Sequence, residues 1–278
     1  MHILVLHNPF AGSYDPAILQ RLGGALEARG HSVRNLDCRT FDPATASSWD
    51  LICIAGGDGT VREVVASLPA DAPPVAVYPL GTINLVAREA GYPADFAHFA
   101  ERATSPAAHR LHHTGSVGAL RFLCCLSVGP DSEAVARLSA PLKRRIGRLA
   151  YAVAAMRLLL RWPHPALVVT IDGGQWSCEA AYVFKGRYFA GPWTLAPRAS
   201  LCEPGFEVLL IPRMRRRDFF RLCLYGLTGG RFADPQWIRR HGHDIEIGCD
   251  VSAPVQADGD IVGCLPVRIG PAAAVRMA

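Results

Sequence analysis

Gly56-Gly57-Asp58-Gly59-Thr60 stands directly after an apolar run, Asp50–Ala55, and directly before a helical pattern. Consecutive glycines let a backbone turn sharply and come close to an anion. A helix opening just after them aims free N–H groups and the positive end of its dipole at the same anion. Such a turn cradles phosphate. Asp58 is out of place in a simple cradle, because its charge repels phosphate. It fits if it engages a metal ion or accepts a proton from a hydroxyl, as phosphoryl transfer requires. The competing reading is a tight strand–helix turn in which Asp58 and Thr60 are caps. A second turn, Pro79-Leu80-Gly81-Thr82-Ile83-Asn84, also follows an apolar strand and opens a helix. Thr82 and Asn84 are short polar groups suited to phosphate. Two such turns on one sheet edge are harder to explain as caps alone.

The elements that must carry these turns alternate. Ile3–Leu6 reads as a short apolar strand ending at Asn8-Pro9, with Gly12 soon after. Pro16–Arg29 has helical spacing, with Ile18, Leu19, Leu22 and Leu26 on one face and Gly30 as its stop. His31–Leu36, Asp50–Ala55 and Pro74–Pro79 read as further strands, Thr60–Leu68 as a helix, and the stretch to Ala90 as another. Alternation of this kind predicts a parallel sheet with helices on both faces. Right-handed crossovers then bring the loop after every strand to one edge, where ligands bind.

The second half changes character. Leu120–Val128, Ala166–Ile171, Glu179–Phe184, Phe206–Ile211, Asp244–Ile247, Val251–Ala257 and Val267–Ile269 read as strands, punctuated by Gly, Pro and Asp. Helical patterns at Pro141–Leu160 and Arg217–Leu227 interrupt them. A mostly antiparallel β domain with helical insertions is expected, with the boundary near residues 110–120: residues 1–115 as the α/β domain and 116–269 as the β-rich one.

Composition limits the rest. The chain has 278 residues, long enough for two domains, with 50% apolar and 19% charged residues. A net charge of +5, carried almost wholly by arginine, is too mild to call for nucleic acid. It suits an anionic membrane surface or a phosphorylated ligand. Nine cysteines without a C-x-x-C pair argue against a disulfide framework. The start shows no signal peptide, and the longest apolar stretch, Leu149–Leu160, is broken by Arg157. It is shorter than the ~20 residues a bilayer span needs. A cytoplasmic protein, peripheral at a membrane, is the expectation, with a homodimer as its oligomeric form.

Taken together, Gly56–Thr60 with Glu63, and then Pro79–Arg88, resemble the paired signatures of the diacylglycerol kinase catalytic domain. That family includes bacterial diacylglycerol kinases and the sphingosine and ceramide kinases. The resemblance extends along the chain. Asn8-Pro9 with Gly12 is similar to the family's opening loop, and Thr40 stands where a nucleotide-contacting threonine is expected. Lys143–Tyr151, Gly186–Gly191 with Leu195-Ala196-Pro197, and Asp258-Gly259-Asp260 match later segments. The resemblance implies a Rossmann-like α/β domain of the NAD kinase and diacylglycerol kinase type and a C-terminal β-sandwich. ATP would lie in the cleft between them, and the chain end, 270–278, would return to the first domain. It also implies ATP and Mg²⁺ as cofactors and transfer of the γ-phosphoryl group to a lipid hydroxyl at a membrane surface. Asn8, Thr40, Gly56, Gly57, Asp58, Gly59, Thr60, Glu63, Gly81, Thr82 and Asn84 would surround the nucleotide. Asp260, in place of the family's Glu, would accept the hydroxyl proton, with Asp58 and Asp258 assisting.

Four positions depart from the family pattern. Leu85 and His113 stand where acids are common. Pro204, in Leu201-Cys202-Glu203-Pro204-Gly205-Phe206, stands where a metal-binding Asp is expected, leaving Glu203 as the candidate ligand for an accessory Mg²⁺. Asp at position 260 withdraws the carboxylate by one methylene, and a misplacement of ~1 Å can cost ~100-fold in rate. A kinase for another hydroxyl, such as a sphingoid base or a polyprenyl-type alcohol, and a non-catalytic ATP- or lipid-binding protein are the alternatives. The pairs His112-His113 and His241-x-His243 lack matching ligands for a metal site. The basic clusters Lys143–Arg148 and Arg213–Arg217, the latter leading into Phe219-Phe220-x-Leu222, are either solvated helix starts or contacts for anionic lipid.

Overall fold

The structure is a computed structural model that describes residues 1–136 and 165–278. The expected helix Pro141–Leu160 and the basic segment Lys143–Tyr151 lie outside the described residues. The chain divides into two compact units, Met1–His112 with Ala273–Ala278, and His113–Ala272.

The first unit is a parallel sheet of β1 (His2–His7), β2 (Ser32–Asp37), β3 (Leu51–Gly56) and β4 (Val75–Pro79), in the order 2-1-3-4. Ile3 to Leu6, Leu51 to Gly56 and Val75 to Tyr78 are all buried, as continuous apolar runs in a parallel sheet must be. Helices α1 (Pro16–Glu27), α2 (Asp58–Ser67), α3 (Leu85–Ala90) and α4 (Phe96–Ala103) connect the strands or follow them. Asp15 caps α1 by accepting the Ala17 N–H at 2.9 Å, and Leu19, Leu22 and Leu26 are buried along one face. Burying each such leucine contributes about 1.5–3 kcal/mol. Gly30, at φ 82, ends the segment as expected. At the far side of the sheet Met277 pairs in parallel with Val75.

The chain runs from β1 outward to β2, then returns to the other side of β1 for β3. The order reverses between β1 and β3, and the crevice beyond the strand ends at such a reversal is where open α/β sheets bind ligands. The loops bearing Asn8, Thr40, Gly57 and Gly81 follow β1, β2, β3 and β4. All four therefore lie on one edge.

The second unit has antiparallel sheets. One runs Ile238–Gly242, Phe206–Ile211, Ala180–Phe184, Cys125–Val128, Pro254–Ala257, Asp260–Cys264. The other joins Ile245–Gly248, Leu167–Ile171, Gly174–Cys178 and the first residues of the strand Val267–Met277, whose end belongs to the first unit. Leu167, Val169 and Ile171 alternate inward from the second sheet and pack in one core with Leu126, Val183 and Val208 from the first. An α/β unit with a parallel sheet followed by an antiparallel sandwich is the fold expected from the sequence. Its details differ: Gly174–Cys178, Ile238–Gly242 and Asp260–Cys264 are among the strands not expected. Leu120–Val128 is two strands, Leu120–Phe122 and Cys125–Val128, and the last strand is longer than expected. On the helix Arg216–Leu227, Leu222 is buried and Phe219 half-buried, so the exposed apolar stripe is Phe220, Leu224 and Leu227 rather than Phe219-Phe220-x-Leu222.

Candidate functional site

Strand β3 delivers Gly57 as the N-cap of α2, and no side chain caps that helix. The amides of its first turn, which includes Gly59, are offered to an anion. Glycine is required where the two turns meet. A Cβ on Gly56 would lie 2.7 Å from the Cβ of Thr60. One on Gly81 would lie 2.5 Å from the Gly57 Cα, and one on Gly57 would lie 3.0 Å from the Gly81 Cα. The turns after β3 and β4 therefore pack backbone against backbone, with Leu80 N–H donating to Gly56 O at 3.1 Å.

Asp58 reaches across this contact. Its Oδ1 accepts the Val86 N–H at 3.0 Å, and the Leu85 and Asn84 amides also act on the carboxylate. It belongs to α2 in sequence but caps α3 in space. Burial pushes its pKa up, and the amides pull against that. Asn84 occupies the left-handed region at φ 56. Its Oδ1 accepts the Gly81 N–H and its Nδ2 donates to Gly81 O, both at 2.7 Å. Gly81 and Asn84 thus hold each other in the turn. Asn8 is engaged in the same way, accepting the Phe10 N–H at 2.9 Å and donating to Thr60 Oγ1 at 3.0 Å. Thr82 is exposed at the tip of its turn, beside Gly12. Thr40 is exposed in the turn after β2, its hydroxyl donating to Asp37 O at 2.9 Å. Glu63 is exposed on α2, where its charge adds to burial and Asp37 in raising the Cys38 pKa.

In the second unit, Asp258 and Gly259 form the two-residue turn between Pro254–Ala257 and Asp260–Cys264. Both have positive φ, 48 and 89, the combination that suits a tight hairpin. The Asp258 carboxylate is buried and accepts the N–H groups of Leu123, Cys124 and Cys125 at 2.6, 2.8 and 3.0 Å. Satisfying those amides is what interrupts the strand expected over Leu120–Val128. Asp258 faces inward and fixes the hairpin. Asp260, first residue of the outgoing strand, is half-buried.

A buried polar chain supports the hairpin from behind. Gly259 N–H donates to Gln256 Oε1 at 2.8 Å, and Gln256 Nε2 donates to Ser127 Oγ at 2.8 Å. Ser127 Oγ donates in turn to Asp131, whose carboxyl pKa is raised by burial. Sequence reasoning missed these residues, because they meet only through the antiparallel register that sets Gln256 opposite Ser127. It also missed Lys185, which is 1% exposed. Its Nζ donates to Glu203 O and to Gly205 O, the latter at 2.8 Å, and burial lowers its pKa to about 8. One signal was available: Lys143 and Lys185 are the only lysines among 29 basic residues. Among the described residues no group of three or more His, Cys, Asp or Glu could hold a metal ion.

The first unit is thus a parallel α/β sheet whose glycine turns after β3 and β4 interlock, and an antiparallel sandwich follows it. The sequence matches the diacylglycerol kinase catalytic domain over residues 2–114 and the YegS C-terminal NAD kinase beta sandwich-like domain over residues 124–276. The chain belongs to the diacylglycerol kinase catalytic domain family, a family of ATP-dependent lipid kinases. It is 28% identical over 227 residues to the diacylglycerol kinase of Bacillus subtilis (strain 168), covering 80% of this chain and 75% of that one. It is 22% identical over 276 residues to the diacylglycerol kinase of Staphylococcus carnosus (strain TM300), covering 95% and 90%. A crystal structure of a diacylglycerol kinase from Bacillus anthracis str. Sterne shares the fold, with a TM-score of 0.76 at 22% identity over 97% of this chain and 93% of that one.

Proposed function

We propose that this chain transfers the γ-phosphoryl group of ATP to a hydroxyl of diacylglycerol or a closely related lipid. The observation that carries the reading is the interlocked pair of turns at Gly57 and Gly81, beside the uncapped start of α2. Backbone amides there can hold phosphates while Asp58 and Asn84 keep the turns rigid. Thr40 and Thr82, exposed on the same edge, are the side chains suited to the rest of the nucleotide.

Asp260 is the residue proposed to accept the hydroxyl proton. Asp258, whose carboxylate is filled by three amides, acts by positioning the hairpin. Mg²⁺ would accompany the nucleotide, held chiefly by its phosphates, and would neutralise charge on the transferring group.

A lipid surface is the proposed place of reaction. Phe220, Leu224, Leu227 and Phe232 are exposed among Arg213, Arg216, Arg217 and Arg231. Among the described residues Asp218 is drawn to Arg215 and Asp234 to Arg221, so the acids there are neutralised. A face with apolar and cationic groups suits an anionic bilayer. No described helix is long and apolar enough to cross a membrane.

The inward engagement of Asp58 and Asp258 favours one other reading, a nucleotide-binding protein without transfer activity. The deciding experiment is transfer of labelled γ-phosphate from ATP to a panel of lipids in mixed micelles, with Asp260→Ala alongside. A labelled lipid that disappears in the variant supports the kinase. ATP binding without any labelled lipid supports the other reading.

A further inference from the structure

The loop Leu201-Cys202-Glu203-Pro204-Gly205-Phe206 is where family resemblance implies an accessory Mg²⁺, and its residues do not fit one. Pro204 has no carboxylate, and Glu203, the remaining candidate, is exposed and belongs to no group of three or more His, Cys, Asp or Glu among the described residues. The carbonyls are already engaged: Leu201 O accepts the His113 N–H at 2.7 Å, and Glu203 O and Gly205 O accept from the Lys185 ammonium. Mg²⁺ needs about six oxygens in near-octahedral array, and a buried ammonium beside the same carbonyls repels a second cation.

We propose that Lys185 is the resident cation of this loop, its ammonium taking the place of the accessory divalent ion. The residue type fits the task. An ammonium is a compact charge with rotatable donors, able to sit among carbonyls, whereas a guanidinium is a planar fork matched to carboxylates. In a chain whose other described cationic side chains are all arginine, the buried site holds lysine. The Phe206 ring, with its centroid 5.2 Å from Nζ, adds a favourable face for the charge.

Lys185 also links the loop to the proposed catalytic hairpin. Its backbone N–H donates to Cys124 O at 2.8 Å. The Cys124 N–H donates to Asp258 at 2.8 Å, and Asp258 leads through Gly259 to Asp260. Lys185 is therefore a positioning residue, and its effect is structural before it is kinetic.

The inference is read by melting without nucleotide or lipid, so its failure is separable from failure of the kinase reading. The full chain is melted in EDTA and in MgCl₂, together with Lys185→Met and the pair Lys185→Asn with Pro204→Asp. The wild type melts at the same temperature in both conditions. Lys185→Met melts several degrees lower in both. The double variant, with a carboxylate restored and the ammonium gone, melts higher in MgCl₂ than in EDTA. A wild-type melting temperature that falls in EDTA overturns the proposal, and so does Lys185→Met melting like the wild type. If Lys185→Met does not fold, the wild-type response to EDTA decides alone.

Discussion

Asp58 illustrates how one carboxylate can be pulled between two jobs. Its sequence position suggests chemistry on phosphate, while its hydrogen bonds make it the cap of α3. Asn and Ala substitutions separate these roles. Asp58→Asn keeps an acceptor for the Val86 N–H and removes the charge; Asp58→Ala removes both. Loss of a cap costs about 0.5–2 kcal/mol, so Asp58→Ala is expected to unfold earlier in urea while Asp58→Asn matches or exceeds the wild type at neutral pH. The pH dependence has a definite sign. With its folded pKa raised by burial, Asp58 holds its proton more tightly folded than unfolded. Wild-type stability therefore falls as pH rises from the ordinary carboxylate range through the raised value. Asp58→Asn lacks that component, so the difference in urea midpoint between the two should grow in its favour across the window and then level off. A constant difference would remove the burial argument. If Asp58→Asn also loses phosphoryl transfer while folded, the carboxylate has a chemical role beyond the cap.

At the scale of elements, the glycines make contrasting demands. Gly81 sits where any Cβ strikes the Gly57 backbone and the Asn84 side chain. Gly81→Ala must push the two turns apart, and overpacking of this kind costs roughly 1–3 kcal/mol. Weaker ATP binding by calorimetry should accompany the loss, since the cradle itself is displaced. Gly24 has nothing within 4 Å of its would-be Cβ and lies within α1 at ordinary φ. Gly24→Ala should therefore raise stability by about 0.5–1 kcal/mol without touching nucleotide affinity. Equal effects at the two positions would show that helix propensity, not turn contact, governs both. Both glycine turns were legible in the sequence, because a strand, a glycine run and a helix start are local signals. Their contact was not. Residues 57 and 81 meet only because β3 and β4 are neighbours in register, with Gly56 opposite Pro79.

On the scale of the whole molecule, the chain's last residues complete the sheet of its first unit. Met277 and Ala278 are buried, Ala278 N–H donates to Val75 O at 2.9 Å, and the Tyr92 hydroxyl donates to Ala278 O. A buried Met→Ala change typically costs about 2–5 kcal/mol. Met277→Ala should thus lower the stability of the unit by that order and speed hydrogen exchange at the amides pairing β3 with β4. Unchanged exchange there would mean that the chain end is an appendage to that sheet.

The sequence by itself determined the class of fold and the family, because hydrophobic periodicity and glycine spacing are written in consecutive residues. It also marked Gly56–Thr60 and Pro79–Asn84 as the turns that matter. Only the tertiary structure decided what individual polar groups do there. Asp58 belongs to one helix and caps another, Asn84 and Gly81 bind each other, and Asp258 turns inward to the amides of Leu123–Cys125. Lys185 finds its carbonyl partners about twenty residues further along the chain. Each of these assignments depends on which unpaired donor or acceptor lies nearest in space. Strand register and loop packing set that distance, and one residue's type does not encode it.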